Sequence, residues 1–261
     1  MMKEKIYIDK EFWEDIYSSE EYFMKDMEIN EGNDGEDEFE TKVFHIIKEK
    51  TVLDVGCGEG YFSLKMAECA RKVVGIDFSD KAISLSQINL FLSKKANVKF
   101  CIADASMLPF TEETFDVTEE TFDVIISRRE PVTATTKTLT EAYRVLNKGG
   151  SLIEITIGEH DKISLKEVFG RGQLYGIKGK VADLKRRMLE ADFRFIKIKE
   201  YKAFEIFQNL DDLIIKLETT PIIFDFDAHQ DKKYLNQIRE TYMTNTGIKT
   251  EIHRLIIIAR K

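Results

Sequence analysis

The run VLDVGCGEGYF, residues 52 to 62, constrains this 261-residue chain more than any other stretch. An apolar segment ends in three glycines at alternate positions, Gly56, Gly58 and Gly60, and a helix-forming segment follows. Glycine is needed where backbone turns sharply and approaches a ligand, because a Cβ would collide. N–H groups of the helix's first turn then point into the space beyond the strand. Two large nucleotide-binding classes share this arrangement, so the turn alone leaves both open. The dinucleotide pattern G-x-G-x-x-G puts Ser63 third when counted from Gly58, and Tyr61 third when counted from Gly56. Both fail, and a nicotinamide or flavin oxidoreductase becomes the weaker reading.

Strands and helices alternate around that turn. TVLDV (51–55), KVVGID (72–77), VKFCIAD (98–104), FDVIIS (122–127) and SLIEITI (151–157) read as strands. Between them, Phe62, Met66, Cys69 and Ala70 share one helical face, and Ser79 caps a helix running to about Leu92. Leu139, Ala142, Tyr143 and Leu146 mark a helix closed by Gly149 and Gly150. Another helix carries Val181, Leu184 and Met188, and FIKIKEY (195–201) is a sixth strand. Helical stretches around Leu210 to Leu217 and Lys232 to Tyr242 precede a closing strand, HRLIIIAR (253–260). Upstream, the acidic DMEINEGNDGEDEFE (26–40) reads as an exposed loop entering a helix at 38–49. Alternation of this kind implies right-handed crossovers and a mostly parallel sheet covered on both faces. No linker divides the chain, so one domain is expected: an N-terminal helical cap (1–50), a core (51–204), a helical insert (205–249) and a last strand (250–261).

Residues 111 to 124, TEETFDVTEETFDV, are one seven-residue phrase written twice. Only the second copy, Phe122-Asp123-Val124, continues into an apolar run, Ile125-Ile126; the first meets Thr118-Glu119-Glu120. The second copy is therefore the strand. The first is expected to bulge outward as a neutral loop insertion, since doubling a loop costs only ~0.6 kcal/mol.

Composition narrows the class. A net charge of −8 gives no overall basic footprint, which disfavours nucleic acid as partner. Cys57, Cys69 and Cys101 show no metal-ligand spacing and leave one thiol unpaired under any disulfide scheme, so reduced thiols in a cytoplasmic protein are expected, with no metal. The longest apolar run near the C-terminus, Leu255 to Ala259, is too short to span a bilayer, and the first residues carry no apolar leader.

Acidic residues end the second and third strands. Asp77 lies 19 residues beyond Gly58 (77 − 58), close to the ~20-residue offset at which a carboxylate meets a ribose. Asp104 can accept from an exocyclic amino group, and Phe78 can lie against a purine face. Taken together, VLDVGCGEGYF, VVGIDFSDKAI, CIADASMLPF, FDVIISR and LNKGG resemble, in order and spacing, the class I S-adenosylmethionine-dependent methyltransferases, over about residues 38 to 200. One departure is Asn147-Lys148 in place of the usual Lys-Pro. The resemblance implies a Rossmann-like α/β fold with a seven-stranded mostly parallel sheet, helices on both faces, an antiparallel last strand and a helical insert before it. It implies S-adenosyl-L-methionine as cofactor, with Asp54, Gly56, Cys57 and Gly58 at the methionine part. Asp77 would hold the ribose, Phe78 would flank the adenine, Asp104 and Ala105 would meet its edge, and Ser127 would lie near the sulfonium. The insert and the N-terminal helices would cover the acceptor.

Strand ends also place SRREP (127–131) and GEHD (158–161) near the methyl group. Glu130, Glu159 and His160 are conceivable bases, although polar loop residues more often cap or solvate. Arg128 and Arg129 can receive an acidic acceptor or pair with the acidic surface, and Lys185, Arg186 and Arg187 read as a solvated helix face. FGRGQLYG (169–176) is a lid or a packing turn, and Trp13, Tyr17 and Tyr22 are core or pocket aromatics. Family signatures for methylating base amino groups, pyrimidine carbons or arginine are missing, which points to a small-molecule acceptor. The alternatives are an RNA methyltransferase and a cofactor-binding module without transfer activity.

Overall fold

A computed structural model describes residues 10–19, 29–110, 121–129 and 132–261. In chain order they form α1 (Lys10–Ile16), β1 (Ile29–Glu31), α2 (Glu36–Ile46), β2 (Thr51–Val55), α3 (Tyr61–Met66), β3 (Lys72–Asp77), α4 (Asp80–Ser93) and β4 (Val98–Ile102). Then come β5 (Phe122–Arg128), α5 (Thr136–Val145), β6 (Leu146–Ile157), α6 (Ile163–Phe169), α7 (Lys180–Glu190) and β7 (Arg194–Phe207). α8 (Leu210–Thr219), α9 (Lys232–Tyr242), β8 (Met243–Thr244) and β9 (Gly247–Arg260) complete them. The chain forms two compact units, a core unit of 35–156, 181–199 and 255–261, and a second unit of 1–34, 157–180 and 200–254. β7 and β9 have residues in both.

In the core unit the strand order is β7-β9-β6-β5-β2-β3-β4. The pairs β2–β3, β2–β5, β3–β4 and β5–β6 are all parallel. Every residue of β2 is buried, as are all of β3 but its first, which is why these strands read as continuous apolar runs. Leu53, Val55, Val74, Ile76, Ile125 and Leu152 share a core cluster with Leu139, Ala142, Leu184 and Met188 from the helices. Ser79 caps α4 by accepting from Ala82 N–H at 3.1 Å, as its position before the helix implies. Strand order reverses between β2 and β5, and the crevice beyond the carboxyl ends of such a pair is where open α/β sheets hold ligands.

The second unit takes β1-β7-β9 with β8 on β9. Its core gathers Leu165, Phe169, Phe207, Leu213, Leu217 and Ile238.

Nine strands among the described residues replace the seven expected. The additions, β1 inside the acidic stretch and the two-residue β8, are antiparallel edge pairings. Edge pairing draws on backbone groups alone, so neither segment needs the apolar alternation by which strands are recognised. α6 was also not foreseen; its Ncap residue, Lys162, sits in the left-handed region and supplies no side-chain cap. The second copy of the repeat does form a strand: Val124 pairs with Val52, and buried Phe122 meets Phe110 edge-on at 5.0 Å. Residues 111–117 lie outside the described residues.

Phe100 on β4 fixes two glycines. A Cβ on Gly75 would lie 2.6 Å from its ring, and one on Gly60 would lie 2.4 Å away. Gly75→Ala should therefore destabilise the chain by about 1–3 kcal/mol through overpacking, measured as a lower urea midpoint at unchanged m-value. An unchanged midpoint would mean that the ring has room to move.

Candidate active site

β2 runs out at Val55 and the chain turns through Gly56, Gly58 and Gly60, with φ of 74°, 54° and 82°. Side chains other than glycine adopt this region at a cost. N–H groups of Gly56 and Cys57 both donate to Ile76 O, at 2.8 and 2.9 Å. Gly58 N–H donates to Asp77 Oδ2 at 3.0 Å, while Asp77 Oδ1 accepts from Ser79 N–H at 3.0 Å. The buried Asp77 carboxylate thus ties the glycine turn to the start of α4 and faces the end of β2. Each carboxylate oxygen accepts more than one hydrogen bond, so hydroxyl donors can still be received.

Two side chains beside the switch point are buried. Asp54 is 3% exposed and accepts from Ser63 Oγ at 2.5 Å. Burial pushes its carboxyl up to about 6, against the opposing pull of the Ser63 hydrogen bond and of Arg128, with Asp77 adding to the rise. Ser127, opposite Val55 in the β2–β5 register, is fully buried, and its Oγ has no hydrogen-bond partner among the described residues. A buried hydroxyl left without a partner is uncommon enough to mark a place completed by something else.

Arg128 and Arg129 converge on one carboxylate. Arg128 Nη2 donates to Glu36 Oε2 at 2.9 Å, and Arg129 Nη2 lies 3.0 Å from Glu36 Oε1. Arg128 also stacks over Phe62, 4.8 Å from the ring centroid. Glu36 begins α2, so the acidic stretch supplies the partner that closes this side. It was not among the residues singled out from sequence, because a glutamate in a charge run carries no mark of its target. Buried Glu154, opposite Ser127 on β6, was missed for the same reason; it accepts from Thr133 N–H at 3.1 Å and Thr133 Oγ1 at 2.8 Å.

Asp104 is exposed, and its Oδ1 accepts from Ser106 N–H at 2.7 Å. Ala105 packs against the core cluster, and Phe78 is half-buried after Asp77. Apolar Ile102 and Met107 are exposed on either side of Asp104. Cys57 is a free thiol whose burial pushes its pKa well up, which disfavours the reactive thiolate. Glu130 and Tyr22 lie outside the described residues. Among those described, no cluster of His, Cys, Asp and Glu could hold a metal, and no helix is long and apolar enough to cross a membrane.

In the second unit, GEHD is a structural knot. A Cβ on Gly158 would strike the His253 ring at 2.2 Å, and Glu159 Oε2 accepts from Lys180 N–H at 2.8 Å. His160 is exposed, stacks on His253 at 5.3 Å, and donates its backbone N–H to His253 Nδ1. That leaves Nε2 of His253 to donate to Glu200, 3.1 Å away. Arg171 of the glycine-rich run is anchored to Asp231 at 2.7 Å and to Phe224 O at 3.0 Å. In the core unit, Arg187 departs from the expected solvated face: it donates to Thr133 O at 2.6 Å and pairs with Asp183, whereas Arg186 stays exposed.

Asp54 generates a pH prediction. Its folded pKa lies above its unfolded value, so the stability it contributes is complete below that unfolded value of 3.8 and is lost as pH rises through about 6. Two units correspond to about 3 kcal/mol. Chemical denaturation should show the ligand-free chain losing stability over that window, with Asp54→Asn nearly flat. Parallel curves for the two proteins would contradict the assignment.

A family model described as a methyltransferase domain matches residues 46–188, more than half of the chain. The chain is 31% identical over 106 residues to a demethylmenaquinone methyltransferase of Lactococcus lactis, 40% of each. It is 39% identical over 113 residues to a tRNA U34 carboxymethyltransferase of Campylobacter fetus, 42% of this chain and 38% of that protein. The matched stretch thus spans about 40% of the length of these relatives. Among solved structures, a Haemonchus contortus phosphoethanolamine N-methyltransferase in complex with S-adenosyl-L-methionine is similar in fold, with a TM-score of 0.56, 18% identity, and cover of 99% of this chain and 58% of that one. The chain belongs to the methyltransferase-domain family, as its resemblance to the class I S-adenosylmethionine-dependent enzymes implies.

Proposed function

We propose that this chain binds S-adenosylmethionine at the β2–β5 switch point and transfers its methyl group to a small-molecule acceptor. The observation that carries the reading is the Asp77 carboxylate, braced by Gly58 and Ser79 N–H groups beside a turn of three positive-φ glycines. A buried carboxylate of this kind receives the vicinal hydroxyls of a ribose, in charge-assisted bonds worth ~1.5–3 kcal/mol each. The residues present fit the rest of the group. Asp54, ionising only near 6 when alone, suits the ammonium of an amino acid. Ser127 Oγ offers a hydrogen bond that no other described residue takes. Asp104 Oδ2, with no partner among the described residues, suits an exocyclic amine between Ile102 and Met107.

When bound, the sulfonium supplies an activated methyl carbon, which the acceptor's lone pair attacks as the carbon–sulfur bond breaks. The chain's own contribution is alignment, which can supply ~7–11 kcal/mol of the barrier. Asp77 and Asp54 hold the two ends of the donor, and the glycine turn lets backbone lie close between them. Any acceptor proton departs to a base or to solvent, and the chemistry demands no single base. A small acceptor is favoured because both cations at the end of β5 pair with Glu36, and the chain carries −8 overall. The relative acting on tRNA motivates the second reading, an RNA acceptor.

Calorimetric titration tests the cofactor. S-adenosylmethionine and S-adenosylhomocysteine should bind near micromolar, about −8 kcal/mol, with NADH inert and Asp77→Ala folded but at least on the order of a hundredfold weaker. Below the Asp54 midpoint, binding should release a proton, read from the dependence of the heat on buffer. Absence of binding by folded protein would end the proposal. Methylation of bulk tRNA, with none of a small-metabolite extract, would transfer the acceptor to RNA.

A further inference from the structure

Buried charge is concentrated in the second unit, around the start of α6. Lys162, Lys166, Asp161, Glu205, Arg254 and His253 are all less than one-tenth exposed. Most of the cations there have a carboxylate. Lys162 Nζ lies 2.6 Å from Glu205 Oε2, Lys216 Nζ lies 3.5 Å from Glu205 Oε1, and Arg254 pairs with Asp161 Oδ1. Lys166 has none. It is 1% exposed, and its ammonium makes a single hydrogen bond, to the backbone carbonyl of Asp161 at 2.5 Å. Two of its three N–H donors have no partner among the described residues.

The surroundings make that arrangement costly. Asp161 is the anion that pulls most on Lys166, against Lys162, Lys180 and Arg254. Asp161 is already engaged, accepting at Oδ1 from both Arg254 and His253 N–H. The nearby Glu159 and Glu251 each hold backbone N–H groups, of Lys180 and Ser164 respectively. A buried cation without its own counter-charge is strongly unfavourable, and a fold retains one only where something compensates it. The glycine-rich run packs against the lysine stem: a Cβ on Gly172 would come 3.0 Å from Lys166 Cγ and 2.5 Å from Ile222 O, and Gly172 has a φ of 137°. Gly170, Gly176 and Gly179 in the same run also have positive φ.

We propose that Lys166 anchors an oxyanion, a carboxylate or phosphate group of a small-molecule ligand, entering beneath the glycine-rich run 170–179. The oxygens take the two unused N–H donors and balance the cations from Lys162, Lys180 and Arg254. Lysine suits this role as a compact point charge. Burial, then the neighbouring cations, lower its pKa to about 8, and an anion beside it would raise it. The site stands independently of methyl transfer.

The test uses the full chain with inorganic phosphate and, separately, acetate at constant ionic strength, chloride serving as control. In protein carrying 13C-lysine, the Lys166 resonance, assigned by its loss in Lys166→Met, should titrate near 8 and move up by about one unit or more when phosphate or acetate saturates. Tm should rise with the same anion in the wild type, and the apparent affinity should fall on the order of tenfold or more in Lys166→Met. A larger response to acetate identifies the group as carboxylate, and a larger response to phosphate identifies it as phosphate. An unmoved Lys166 midpoint overturns the proposal, as does an equal Tm rise in the variant. Should Lys166→Met fail to fold, the wild-type midpoint decides alone, with the resonance assigned through Lys166→Arg.

Discussion

The arrangement depends on one carboxylate that grips two segments. Asp77 ends β3, yet its oxygens hold Gly58 of the preceding strand's turn and Ser79 at the head of α4. With Gly56 and Cys57 both donating to Ile76 O, three consecutive N–H groups of the glycine turn are fixed to the end of the neighbouring strand. The turn is therefore held by its neighbour as well as by its own Gly60 N–H, which donates to Cys57 O at 3.0 Å, and Phe100 beneath it fills the space that glycines at 60 and 75 leave. Removing Asp77 would loosen the turn and, on the proposed function, delete the carboxylate that receives the ribose. The proposed function and the local structure meet in this one interaction.

Much of this is legible in the sequence. The glycine spacing excluded the dinucleotide pattern, and the offset from Gly58 to Asp77 marked the carboxylate that proves to touch the turn. The duplicated heptapeptide was resolved by asking which copy continues into an apolar run, and Val124 sits in the β5 register accordingly. What escaped was of two kinds. The edge strands β1 and β8 form through backbone pairing and leave no periodic trace. The buried charges Glu154, Lys162 and Lys166 escaped because charged residues are read as surface by default, and only the fold shows which ones lose their water. Arg187 belongs to the same group, sitting in a basic run that looked solvated while its guanidinium reaches the Thr133 carbonyl.

The two units carry their charge differently. In the core unit the buried acids Asp54 and Asp77 lie at strand ends and keep partners that a ligand can supplement, beside Ser127, whose Oγ has none among the described residues. In the second unit the charges pair with one another around Asp161 and Glu205, except at Lys166. This division fits a fold whose cofactor-binding frame is shared by enzymes of diverse acceptors, with particular chemistry supplied by elaborations. Relatives named for a quinone and for a tRNA match only the shared portion, about 40% of their lengths.

The most direct measurement is a 15N amide titration of the chain with S-adenosylhomocysteine. The account predicts saturable shifts centred on the Gly58 and Ser79 amides that donate to Asp77, together with Ser127, and none on adding NADH. Saturable shifts that leave Gly58 and Ser79 untouched, or no shifts from a folded protein, would contradict it.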